Sequence, residues 1–173
     1  MNLYQHIVLI GMPGVGKTNI GKLLSKKLNI KHIDIDQCVV INESQTINEL
    51  MIERGEEAFR NLEKKELSLA IHSKELSIIS TGGGTVLDRD NSCLIKDKTY
   101  GIHIKSSIEE ISKRIDVNTR PLLYNTNKLE ALRSLWKVRE KLYNNAAKIK
   151  INTEGLSLDA AVNKIYSRLS NDK

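Results

Sequence analysis

Eight consecutive residues, Gly11-Met12-Pro13-Gly14-Val15-Gly16-Lys17-Thr18, constrain this chain more than any other stretch. They fit the phosphate-binding P-loop pattern of a glycine, four residues and Gly-Lys-Ser/Thr. Gly11, Gly14 and Gly16 let the backbone take turns that aim its N–H groups inward at a phosphate. Lys17 then serves as a point charge for the β- and γ-phosphates, and the Thr18 hydroxyl is a ligand for Mg²⁺. The flanks agree. Before the loop, His6-Ile7-Val8-Leu9-Ile10 reads as a buried parallel strand. After it, Ile20, Leu23, Leu24 and Leu28 recur at helical spacing, so a helix N-terminus faces the anion. The stretch predicts a site for a nucleoside triphosphate.

The rest of the composition narrows the partner. A formal charge of +6 invites a nucleic-acid reading. Lys and Arg are nevertheless dispersed among acids, and aromatic residues are too scarce for a stacking platform. The surplus suits steering of a small polyanionic substrate instead. No apolar run reaches transmembrane length, and no signal peptide is expected ahead of the first strand. Cys38 and Cys93 lack Cys-x-x-Cys spacing and are expected to be small buried thiols of a reduced, cytosolic protein. His6, His32, His72 and His103 show no metal-ligand spacing and are assigned structural roles.

Short apolar runs alternate with amphipathic segments along the 173 residues, which predicts one three-layer α/β/α domain around a five-stranded parallel sheet. Strand two is expected over Ile30 to Ile35, strand three over Leu76 to Ser80, strand four over Thr99 to Ile104 and strand five over Lys148 to Ile151. Thr46 with Glu49 and Ser107 with Glu110 have capping-box spacing. Gly55 should bend the helix that Thr46 starts, and Asp88 should cap a short one. A long helix runs from about Asn127 to Ala147. Asn127-Lys128-Leu129-Glu130 approaches a guanine-binding motif but lacks its final Asp, so Asn127 is read as a cap.

Ligands of such sheets sit at the carboxyl ends of the strands. Asp34 and Asp36, as alternate residues of one strand, are expected to share a facing there. Ser80-Thr81 ends strand three without an acid, which leaves Asp34 as the metal's nearest carboxylate. Gly82-Gly83-Gly84 permits close approach of a ligand to backbone. Arg139 shares a helical stripe with Leu129, Leu132, Trp136 and Tyr143. Such a position is costly without an anion, either a ligand or an internal carboxylate. Arg60 has Glu63 three residues on, as a partner or an orienting group. Arg120 lies in an irregular Arg-Pro segment suited to a mobile lid.

In order, these motifs (Gly11 to Thr18, Asp34-Ile35-Asp36, Gly55 to Arg60 with Glu63, Gly82 to Gly84, Arg120-Pro121-Leu122-Leu123, Arg139 with Leu142-Tyr143) resemble the shikimate kinases, small P-loop kinases of aromatic amino-acid biosynthesis. The resemblance runs from about Ile7 to Tyr143 and loosely onward. It implies a single P-loop kinase domain over residues 1–173 with a nucleoside-monophosphate-kinase-like fold and strand order 2-3-1-4-5. Within it, a substrate-binding helical region spans about 36–63 and a mobile lid about 115–126.

The activity implied is transfer of the γ-phosphoryl group of Mg·ATP to the 3-hydroxyl of shikimate, in a protein that is commonly cytoplasmic and often monomeric, with no membrane or nucleic-acid partner. Nucleotide contacts fall to Gly14, Val15, Gly16, Lys17, Thr18, Ile20, Lys113 and Arg120, and Mg²⁺ to Thr18 and Asp34. Shikimate falls to Asp36, Arg60, Gly82, Gly83, Gly84 and Arg139, with Lys17, Asp36 and Arg120 acting in catalysis. The chain departs from the family twice: Lys113 stands where an arginine near adenine is usual, and Arg139-Glu140-Lys141-Leu142-Tyr143 lacks the family's proline. A kinase for another carboxylated polyol, such as gluconate, and a non-catalytic nucleotide-binding relative are the competing readings.

Overall fold

The computed structural model describes residues 5–115 and 127–171. Arg120 and nearly all of the segment assigned to the lid lie outside the described residues.

The centre of the molecule is β1 (Ile7–Ile10), all four side chains of which are buried. Removing each such Ile or Leu from water contributes about 1.5–3 kcal/mol, which is why this apolar run takes the middle of the sheet. The strands β2 (Lys31–Asp34), β3 (Ser77–Ser80), β4 (Tyr100–Lys105) and β5 (Ile149–Asn152) complete five parallel strands in the order β2-β3-β1-β4-β5. Leu9, Ser80 and Asp34 stand level across three of them, so β1, β3 and β2 end at one edge. The β-branched central strands are sealed, whereas β5 alternates buried and exposed residues as befits an edge.

Helix α1 (Lys17–Leu28) packs on α7 (Leu158–Asn171), and α4 (Arg89–Lys98) packs on α6 (Lys128–Ala146), forming the layers on either side of the sheet. Helices α2 (Ile35–Glu43) and α3 (Ile47–Ile71) close on each other over a small core of their own, Val39, Leu50 and Phe59. The Thr46 capping box is complete: Thr46 Oγ1 accepts from the Glu49 N–H, and the Glu49 carboxylate accepts from the Thr46 N–H. Gly55 breaks α3 with φ 81° and ψ 167°; a Cβ there would meet nothing, so the backbone angle, not space, requires glycine. Asp88 caps α4 as expected, and Asn127 caps α6 by accepting from the Leu129 N–H.

Three expectations need correction. Strand two stops at Asp34, and Ile35 already belongs to α2, so Asp34 and Asp36 are not alternate residues of one strand. The reason is local: Asp34 Oδ1 accepts from the Gln37 N–H and starts a helix on the spot. At α5 (Ile108–Arg114) Ser107 caps Glu110, but the Glu110 carboxylate turns elsewhere, so half of that box forms. Cys93 is exposed and Cys38 half-buried; neither thiol is a core residue. No helix among the described residues is long and apolar enough to cross a membrane.

Candidate active site

The P-loop leaves β1 and closes on Gly16, whose φ of 100° makes it the left-handed N-cap of α1. No side chain caps that end, and no acid lies in its first turn. The N–H groups of α1 are thereby offered to an anion from outside the helix. Lys17 is buried and curls back to donate to the carbonyls of Gly11 (2.8 Å) and Met12 (3.0 Å), which holds its ammonium over the loop. A cavity of about 520 Å³ opens at this point. Gly14, Val15, Gly16, Lys17, Thr18 and Ile20 line it, together with Asp36, Thr81 and Gly83.

At its floor the Thr18 hydroxyl donates to Asp34 Oδ2 at 2.6 Å. Two hard oxygens so close suit Mg²⁺, and Asp34 keeps its other oxygen on the α2 cap. No group of three or more His, Cys, Asp or Glu able to hold a metal occurs among the described residues. An ion held by Thr18 and Asp34 would draw its remaining ligands from phosphate and water, as Mg²⁺ does.

The triplet after β3 organises the other half of the crevice, and each glycine is packed by a different side chain. A Cβ on Gly82 would collide with Glu63 Oε1 and come within 2.8 Å of Asp36 Oδ1. One on Gly83 would lie 2.7 Å from the Pro13 ring, and one on Gly84 2.6 Å from the Arg60 guanidinium. The glycines thus let Asp36, Glu63, Arg60 and the P-loop converge on one length of backbone.

Glu63 is buried; it pairs with Arg60 Nη1 at 2.8 Å and accepts from the Thr85 hydroxyl. Arg60 also donates to Glu56 at 3.0 Å. Burial opposes its charge, but the Glu63 and Glu56 carboxylates outweigh that and raise its pKa above the ordinary value.

Arg139 has a different environment. It is 4 % exposed, and its Nη1 donates to the Gly83 carbonyl at 3.0 Å. Among the described residues no carboxylate forms a salt bridge with it, and its hydrogen-bond partner there is the Gly83 carbonyl. A guanidinium so buried, with a neutral carbonyl as its partner, is suited to an anion from outside the chain.

At the far end of the cavity stand Arg114, Thr153, Leu156, Ser157, Leu158 and Ala161. Lys113, the position singled out for the nucleotide, is exposed and not among the lining residues; its neighbour Arg114 is. Glu110 ties the two walls together. Its carboxylate accepts from Arg114 Nη2 at 3.0 Å, from the Gly155 N–H at 3.0 Å and from the Ser106 hydroxyl at 2.7 Å. The hydrogen bond from Ser106, then that from Gly155, holds its pKa below the usual carboxylate value. The β5–α7 residues carry no motif in the sequence; their position after an edge strand on the P-loop side is the signal that could have found them.

Known proteins identify the family. The family model described as Shikimate kinase matches residues 13–170. A curated shikimate kinase of Caldicellulosiruptor saccharolyticus is 40 % identical over 94 % of this chain and 94 % of its own. That of Thermodesulfovibrio yellowstonii is 37 % identical over 98 % and 99 %. Among solved structures, shikimate kinase from Acinetobacter baumannii in complex with shikimate superposes with a TM-score of 0.90 at 30 % identity, over 97 % of this chain and 94 % of that one. The Aquifex aeolicus enzyme gives 0.84 at 30 % identity, over 96 % and 97 %. With a P-loop, a buried arginine that donates to a carbonyl and a glycine triplet meeting at one sheet edge, and relatives that match nearly end to end, the chain belongs to the shikimate kinase family.

Proposed function

We propose that this protein transfers the γ-phosphoryl group of Mg·ATP to the 3-hydroxyl of shikimate, giving shikimate 3-phosphate and ADP. The observation that carries the acceptor half is Arg139, a buried guanidinium whose partner is a carbonyl, beside Gly83 and within the same glycine triplet that packs on Arg60 and Asp36. A planar fork of that kind suits the carboxylate of a small acid. Arg60 is the second grip, with Glu56 and Glu63 fixing its orientation.

Phosphoryl transfer asks the protein chiefly for positioning and charge. Bound Mg²⁺ would neutralise charge on the β- and γ-phosphates, with Thr18 and Asp34 as its holders. The N–H groups of Gly14, Val15 and Gly16 and of the first turn of α1 cradle the phosphates, and Lys17 supplies positive charge there. Asp36 reaches the cavity from the first turn of α2 and serves the acceptor hydroxyl, taking or orienting its proton. Gly82, Gly83 and Gly84 form the acceptor's backbone wall. Arg120 is assigned to the phosphates by its place in Arg120-Pro121-Leu122-Leu123. Arg114, rather than Lys113, is assigned to the base, since it is the one that lines the cavity. A cytoplasmic monomer without membrane or nucleic-acid partner belongs to the same reading and rests on the family's habit and on dispersed surface charge.

The deciding experiment is ADP release from Mg·ATP with shikimate, with gluconate and with neither. A shikimate-dependent rate is expected. ATP binding without any response to shikimate would leave the fold in place and move the acceptor to another small acid.

A further inference from the structure

The Gly83 carbonyl accepts two hydrogen bonds from α6. One is from Arg139 Nη1 at 3.0 Å, the other from the Tyr143 hydroxyl at 2.5 Å. Tyr143 is fully buried, one helical turn from Arg139. Its ring lies 5.0 Å from that of His103 on β4, which itself stacks 6.0 Å from Trp136, so both ring and hydroxyl are held. The same hydroxyl lies 3.9 Å from Met12 Sδ in the P-loop. Gly83 also packs against Pro13. One tyrosine therefore joins α6, the P-loop and the middle glycine of the triplet.

We propose that Tyr143 is a positioning residue for the acceptor site: its hydroxyl fixes the Gly83 carbonyl, and through that carbonyl the direction in which Arg139 presents its fork to the acceptor carboxylate. This rests on the reading of Arg139 as the carboxylate's grip. The physical need is specific. Arg60 is oriented by two carboxylates, whereas among the described residues Arg139 has no carboxylate to orient it. An arginine offers five donors on a rigid plane, so seating one of them on a fixed oxygen sets where the others point. A carbonyl on a triplet of glycines is a poor anchor by itself, because glycine backbone is the most easily reoriented. Tyr143 removes that freedom. Burial pushes its pKa up to about 12, with Arg139 opposing, so the hydroxyl remains a donor across the working pH range.

The test is Tyr143→Phe, which deletes one oxygen and leaves the ring packing in place. Three quantities are read: KM for shikimate, KM for ATP, and the preference for shikimate over its neutral carboxamide. The variant should raise the shikimate KM about five-fold, the size of one lost buried hydrogen bond, and narrow the preference for the carboxylate, with the ATP KM unchanged. In an Arg139→Ala background the same change should add nothing, because the residue through which Tyr143 acts is gone. If Arg139→Ala raises the shikimate KM but Tyr143→Phe moves neither the KM nor the preference, the proposal is overturned and the reading of Arg139 survives. If Arg139→Ala itself leaves the shikimate KM unchanged, the underlying reading fails first. Loss of ATP binding together with shikimate turnover in Tyr143→Phe, or a further loss when it is added to Arg139→Ala, would mark a packing role and overturn the proposal as well.

Discussion

The Thr18 hydroxyl donates to Asp34 Oδ2 at 2.6 Å, joining the first turn of α1 to the end of β2. Asp34 is doing two things, since its other oxygen caps α2. Asparagine retains a cap acceptor while removing the charge. Asp34→Asn should therefore leave the fold intact and raise the Mg²⁺ concentration for half-maximal activity by roughly ten-fold or more, as loss of a metal's charged support does. A Mg²⁺ titration of ADP release beside a circular dichroism spectrum checks this. An unchanged Mg²⁺ requirement would take Asp34 out of the metal's surroundings.

Arg114 and Lys113 are adjacent, yet only Arg114 lines the cavity, steadied by Glu110. If the guanidinium lies over the base, Arg114→Ala should raise the ATP KM roughly five-fold, the worth of about 1 kcal/mol of cation–π contact. Lys113→Ala should leave it where it was. The reverse pattern would put the lysine at the base.

Gly82 is hemmed in by Glu63 and Asp36, two carboxylates that stand on α3 and α2. A methyl group there must push both of them aside. Displacement of Asp36 by even 1 Å is enough to cost about 100-fold in turnover, so Gly82→Ala should lose shikimate phosphorylation to that degree and keep ATP binding. Steady-state kinetics and nucleotide titration of one preparation separate the two. Near-normal turnover would show that the acceptor half of the crevice tolerates movement of its acids.

The legible part of this site was the part built from local pattern. Gly14, Gly16 and Lys17 announce a phosphate loop because strand, turn and helix signals meet there in one unbroken stretch from His6 to Leu28. The sheet order followed from resemblance and agrees with the structure. Alternation puts Asp36 on a strand because it cannot register that Asp34 is also a helix cap; the same carboxylate serves a strand end and a helix start. The isolation of Arg139 from any described carboxylate is a property of three elements packed together, so no spacing along α6 could reveal it. Thr153 and Leu156 to Leu158 look like any polar turn after an edge strand, and only the crossover beside the P-loop makes them a wall. The glycine triplet signals close approach to backbone, and the structure shows which side chains use it: Glu63, Asp36, Pro13 and Arg60 all pack against it.

His103 gives the last prediction. It is fully buried on β4 against Trp136 and Tyr143; one ring nitrogen lies 3.2 Å from Asn144 Oδ1, and the other, Nε2, has no hydrogen-bond partner among the described residues. Burial lowers its pKa from 6.5 to about 4; the contact with Asn144 opposes this, while the positive charges of Lys105, Lys150 and Lys17 add to it. The folded-state value lies below the unfolded one, so between about pH 6.5 and 4 the unfolded chain takes up a proton that the folded chain refuses. Stability contributed by the neutral ring is complete above that window and is lost as pH falls through it. The loss from this residue should reach about 2 kcal/mol between pH 7 and pH 5. His103→Gln keeps a donor for Asn144 and cannot titrate. Urea unfolding of both proteins at the two pH values should show the variant losing less stability by about that amount. His32, whose pKa is also lowered, chiefly by burial, contributes in the same direction to both proteins and cancels from the difference. An equal loss in the two proteins would mean that His103 is already protonated in the fold near pH 5 and that burial is not what governs it.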